Sequence, residues 1–321
     1  MSEPATTTAA SVTPARPTAP DWTAVTDAEL RAYSEAENRF RAAPAARAMT
    51  GEPDPGAVIG WQDVDLPGRR LPVRVYRPAA APDGPLPLVV HVHGGGFVGT
   101  AVQCDWTSSH LAARLPALVV SVEHRLLAAG TPLAHAVDDA WDVLRHVTGQ
   151  AAEWGADPAR TALFGESYGG LVSALVALRA REAGLPLAAQ VLVNPALDVS
   201  ASMLDHPSAA EHARTPTLDV DVLHLVRRLA TPPGADPRAL SPLHTPDLGG
   251  LPPALVVIPT QDPLADHGRA YATRLRAAGT PTRLNEHPGA FHAFLTMPGA
   301  SPQAFAARAE ITGYLRTALA A

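Results

Sequence analysis

Ser167 stands in Gly165-Glu166-Ser167-Tyr168-Gly169-Gly170, where glycines on both sides allow a sharp turn and close packing around it. A serine hydroxyl is a weak nucleophile until an adjacent base takes its proton, and that base needs an acid to orient it. Two later segments supply candidates: Gln261-Asp262-Pro263-Leu264 carries a carboxylate and Phe291-His292-Ala293-Phe294 an imidazole. A fourth, His93-Gly94-Gly95-Gly96-Phe97, lets backbone N–H groups face a developing negative charge without side-chain obstruction. Gly94 and Gly95 are the expected donors, with the Tyr168 amide as the third. The chemistry open to this set is acyl transfer through a covalent serine intermediate.

Each candidate has a plainer reading. Ser167 can be a buried turn serine, and Asp262 can cap a helix that begins at Pro263. Asp266 is the fallback acid. His287, in Glu286-His287-Pro288-Gly289, competes with His292 as the base, but it falls at the end of a strand rather than in the loop that must reach Ser167. His91 and His93 share one face of a strand without a third ligand at metal-site spacing, so a structural role is expected, with His93 steadying the glycine loop. Glu166 reads as a structural hydrogen-bonding partner. Phe97 and Tyr168 are candidate pocket residues, whereas Cys104 and Trp106 fit pocket or core equally.

The elements that must position these groups follow from hydrophobic patterning. Apolar runs at 88–93, 118–122, 161–164, 190–194, 254–259 and 282–287 read as strands. Amphipathic stretches at 106–114, 133–147, 169–182, 263–278 and 302–319 read as helices between them. Near-continuous apolar strands alternating with helices predict an α/β fold with a mostly parallel central sheet covered on both faces. Alternation at 59–66 and 71–77 around Pro67-Gly68 predicts an antiparallel hairpin at the sheet edge. Residues 1–20 read as a disordered tail, 21–55 as an N-terminal cap segment and 56–321 as the core. An insertion at about 203–247, with one helical run at 218–229, reads as a lid.

Composition narrows the function classes. All 25 basic residues are arginine, which removes chemistries that need lysine, including a Schiff base and a Walker-type phosphate loop. The formal net charge of −6 argues against nucleic acid or an anionic membrane surface as the main partner. Cys104 is the single cysteine, so an intrachain disulfide is impossible. No secretory signal or membrane-length apolar run is visible, and a cytoplasmic location is the default expectation. A homodimer stays open.

These motifs together resemble the hormone-sensitive-lipase-like carboxylesterases, from about residue 71 to the C-terminus. The chain order Ser167, Asp262, His292 is that of the α/β-hydrolase fold, and strand–Gly-x-Ser-x-Gly–helix is its nucleophile elbow. The resemblance implies an α/β-hydrolase core with a helical cap, a Ser167-His292-Asp262 triad and a small-molecule ester or acyl substrate. It also implies no metal or organic cofactor. Three departures bear on substrate class. Glu166-Ser167-Tyr168 stands where the family usually has Asp-Ser-Ala. His124-Arg125-Leu126-Leu127-Ala128-Ala129 replaces Tyr-Arg-Leu-Ala-Pro-Glu, and His267 replaces a common Glu. The same site can serve amide or lactone hydrolysis, transacylation, or a biosynthetic cyclisation or elimination. A ligand receptor on this fold is disfavoured by the complete triad. A serine carboxypeptidase, which shares Gly-Glu-Ser-Tyr-Gly, is disfavoured by the triple glycine and the missing disulfides.

Overall fold

The computed structural model describes residues 15–80 and 82–320. Residues 1–14 of the expected tail lie outside them. Residues 15–20 carry no helix or strand, and Arg16 among them reaches Glu37 at 3.3 Å.

Among the described residues eight strands form one sheet in the order β1-β2-β4-β3-β5-β6-β7-β8. β1 (Ala57–Leu66) and β2 (Arg69–Pro78) are the edge hairpin, antiparallel to each other, and β2 is also antiparallel to β4 (Leu118–Val122). β3 (Leu86–Val92), β5 (Ala156–Glu166), β6 (Ala189–Val193), β7 (Ala254–Gln261) and β8 (Thr282–Phe291) run parallel to β4 and to one another. Their carboxyl ends therefore collect at one edge, which is where ligands bind in open α/β sheets.

Alternation within each apolar strand divides the core. Leu88, Val90 and Val92 of β3 face the layer with helices Leu133–Gly149 and Tyr168–Glu182, while Val89 faces that with Asp105–Arg114 and Gln303–Ala318. This is the expected mostly parallel sheet with helices on both faces. β5 starts five residues before the predicted run, because a register shift at Pro87/Leu88 lets Ala156 and Asp157 pair with Leu86 and Pro87. β8 extends past His287 to Phe291, beside an irregularity at Pro259/Gln261 of β7. The interval 203–247 holds a short helix, Pro207–Glu211, as well as the expected helical run, here Val220–Ala230 with Asp219 as its N-cap. Helix Asp27–Ala42 starts at a capping box in which Thr26 and Glu29 exchange hydrogen bonds.

Candidate active site

β5 ends at Glu166, and the next residue, Ser167, takes φ 54 and ψ −117 before helix Tyr168–Glu182 begins. Few non-glycine residues hold such a conformation, and packing must enforce it. A Cβ at Gly165 would meet Gly169 O and Ser173 Oγ, and one at Gly169 would meet the carbonyls of Val92 and His93. The glycines thus let helix and strand close on the turn, leaving Ser167 partly exposed at the sheet edge.

Ser167 Oγ lies 2.7 Å from His292 Nε2. His292 Nδ1 lies 2.8 Å from Asp262 Oδ2, and Asp262 is fully buried. Asp262 Oδ1 accepts from Leu264 N at 2.8 Å, so one carboxylate both stabilises a helix start and holds the imidazole. His292 is followed by Ala293 in the left-handed region at φ 61, and its carbonyl accepts from Thr217 Oγ1 at 2.6 Å. Asp266 instead accepts from Ser208 N at 2.9 Å and pairs with Arg269, away from the imidazole. His287 is buried in β8 with Nε2 3.2 Å from Glu310.

Gly94 and Gly95 border the same cavity as Ser167, and a Cβ at Gly94 would lie 3.4 Å from the Ser167 Cβ. Gly95 has φ 101, and a Cβ there would strike Val98 O, so only glycine suits the loop. Among the described residues no hydrogen bond engages the Gly94, Gly95 or Tyr168 amides, which leaves three donors unused beside the serine. His93 Nδ1 sits 3.1 Å from Gly94 O, and its ring stacks on His124 at 4.2 Å.

The N-terminal helix, whose part in the site no sequence motif announces, holds this loop. Ser34 Oγ donates to Phe97 O at 2.6 Å, and Asn38 Oδ1 accepts from Gly99 N at 2.6 Å. Gln103, itself bonded by Arg41, donates to Gly94 O at 3.1 Å. Behind it, Glu123 accepts from Ala101 N at 2.8 Å, and burial pushes its carboxyl up to about 7. The folded chain therefore binds a proton here that the unfolded chain has released above its ordinary value of 4.5. Stability should fall as pH rises from 4.5 to 7 through this group. Glu123→Gln keeps an acceptor for Ala101 and removes the charge. It should raise stability at pH 8 by about 1–3 kcal/mol, since each pH unit between the unfolded and folded titrations is worth roughly 1.4 kcal/mol, with no gain at pH 4. Denaturant melts across this range check it, and a variant less stable than wild type at pH 8 would contradict it.

Glu166 departs from expectation. Its Oε1 makes no hydrogen bond, and the nearest candidate, His91 Nε2, is 3.6 Å away. With Cys104 these two form a buried group whose ligand atoms lie within 4.8 Å of one another, a composition among the described residues that could hold a metal. Burial holds the Cys104 thiol protonated, so a cation would have to displace that proton. Cys104 and Trp106 are core rather than pocket, with Trp106 packed on Phe305 and under Arg308. Phe97 and Tyr168 do line the cavity above Ser167, whose volume is about 130 Å³.

A family model described as the alpha/beta hydrolase fold matches residues 89–296. The chain belongs to that family. It is 39% identical over 252 residues to carboxylesterase NlhH of Mycobacterium tuberculosis, covering 76% of each chain. It is 32% identical over 260 residues to an arylesterase of Saccharolobus solfataricus, covering 78% of this chain and 81% of that one. Among solved structures it is similar to ester-hydrolase EH1AB1 from the metagenome of Lake Arreo, in complex with a bipyridine phosphonate derivative. That match has a TM-score of 0.84 at 30% identity and covers 94% of both chains. The resemblance to hormone-sensitive-lipase-like carboxylesterases thus holds, and no described helix is long and apolar enough to cross a membrane.

Within the family frame two of the three departures acquire partners. The Tyr168 ring borders the cavity, but its hydroxyl is buried without a partner, and desolvation pushes its pKa up. Arg125, in the altered turn, pairs at 2.8 Å with Asp139, which is fully buried and also held by Arg69. His267 accepts from Leu197 N through Nδ1 and donates to Met203 O through Nε2 at 2.8 Å, tying the segment around 197–203 to helix Ala265–Ala277. Burial lowers its pKa to about 4, which keeps it neutral.

Proposed function

We propose that this chain hydrolyses small to medium carboxylic esters through an acyl-enzyme on Ser167. It is a serine ester hydrolase. The observation that carries this reading is the unbroken relay from Ser167 Oγ to His292 Nε2 at 2.7 Å and from His292 Nδ1 to Asp262 at 2.8 Å. The relatives' names, carboxylesterase and arylesterase, point the same way.

In the first half-reaction His292 Nε2 takes the Ser167 proton as Oγ attacks the ester carbonyl. The Gly94, Gly95 and Tyr168 amides hold the oxyanion of the tetrahedral intermediate. Asp262 keeps Nδ1 protonated and stabilises the imidazolium without taking its proton. His292 then protonates the departing alkoxide, and water activated by the same imidazole releases the acid. A cytoplasmic setting on a soluble ester fits the single buried thiol, Cys104.

The lid helix gives Val222, Leu223 and Val226 to the cavity, one apolar face at helical spacing. With p-nitrophenyl esters from acetate to laurate, kcat/KM should peak at butyrate to hexanoate and fall by laurate. No saturable turnover on any member would overturn the reading.

A further inference from the structure

The cavity above Ser167 adjoins a second lobe that the acyl chemistry leaves unused. Arg41, Gln103, Thr217, Ala293 and Thr296 border both lobes. The first is walled by apolar side chains, among them Leu218, Val222, Leu223 and Leu264. The second, with a volume of about 90 Å³, brings Arg16 and Arg41 together on Glu37.

Glu37 is 1% exposed and accepts from Arg41 Nε at 2.9 Å and Arg16 Nε at 3.4 Å. Two guanidinium groups therefore face one carboxylate, and no other charged side chain among the described residues lines this lobe. Arg41 Nη1 donates to Gln103 Oε1 at 3.0 Å, while Nη2 has no partner among the described residues. The pairing with Glu37 and Gln103 fixes the planar fork in advance, which is how arginine recognises a carboxylate at low entropic cost. A purely structural role, tying helix Asp27–Ala42 to the glycine loop through Gln103, accounts for Nε and Nη1. It does not account for Arg16 or for the excess positive charge on a cavity wall. That charge also opposes the chain's overall −6, which would otherwise repel an anionic substrate.

We propose that the second lobe binds a carboxylate carried by the substrate, with Arg41 in contact and Arg16 reinforcing the field. The preferred ester then has an apolar group on one side of the scissile bond and a carboxylate on the other. This deepens the esterase reading and rests on it.

Two matched pairs test it at neutral pH by titrating released acid. Monoethyl glutarate against ethyl pentanoate puts the carboxylate on the acyl side, and 4-acetoxybutanoate against butyl acetate puts it on the alcohol side. The wild type should favour the charged member of one pair by about tenfold or more in kcat/KM, mostly through KM. Arg41→Met should bring that ratio close to one whatever happens to the absolute rates, and Arg16→Met should lower it by a smaller factor. Should Arg41→Met fail to fold, Arg16→Met, at a half-exposed position, decides alone. Equal rates within both pairs, or a preference that survives the variants, overturns the proposal and leaves the esterase reading intact. A wild type inert on all four esters overturns both.

Discussion

Ser167→Ala should lower kcat by about 10⁴- to 10⁶-fold, with the melting temperature within a few degrees of wild type. The substitution keeps Cβ and so preserves the packing around the turn at φ 54. It removes only a hydroxyl whose hydrogen-bond partner is His292. The unusual backbone conformation is held by neighbours, including the bond from Ser167 N to Val193 O at 2.8 Å, and alanine retains that amide. What remains is binding plus three amides near the carbonyl, which in serine hydrolases leaves about 10³- to 10⁴-fold over water. Intact-mass spectrometry after an activated phosphonate ester supplies a second readout. The wild type should gain one covalent phosphonyl group and lose activity, and the alanine variant should gain none. Retention of more than about 1% of wild-type turnover in purified, folded variant would remove Ser167 from the nucleophile's role, since so small a loss is below what deleting a triad nucleophile produces.

The sheet was legible because strands buried on both faces read as continuous apolar runs, and the run at 118–122 coincides with β4 to the residue. Ends were less legible because local pattern is blind to pairing, as the early start of β5 and the late end of β8 illustrate. That Ser167, Asp262 and His292 come together was legible for a geometric reason. Each follows the carboxyl end of a parallel strand, so topology delivers it to one edge. Residues that reach the edge from elsewhere left no such trace. Arg41 meets Gln103 across 62 positions and Thr217 meets His292 across 75, and neither sits in a motif that announces it. Glu166 misled for the opposite reason: its place in the elbow suggested a hydrogen bond, yet the approach to His91 stops at 3.6 Å.

Asp262→Asn should cost about 10³- to 10⁴-fold in kcat, whereas Asp266→Asn should change it by no more than about threefold. The two carboxylates are four residues apart at the same strand–helix junction, so sequence position alone favours neither strongly. Geometry separates them. An asparagine at 262 can still accept from Leu264 N, which preserves the helix start. Its amide N–H facing Nδ1, however, favours the tautomer whose proton sits on Nε2, and that nitrogen then cannot take the Ser167 proton. The enzyme would be folded and inert. At 266 the carboxylate accepts from Ser208 N and pairs with Arg269, which is partly exposed. Its loss should appear as about 1 kcal/mol of stability, the net worth of such a bond, with turnover nearly intact. Measuring kcat and a denaturation midpoint for both variants therefore distinguishes an orienting acid from a local ion pair. The reverse ranking, with Asp266→Asn inert and Asp262→Asn active, would mean that the carboxylate 2.8 Å from the imidazole is not the one that sets its tautomer.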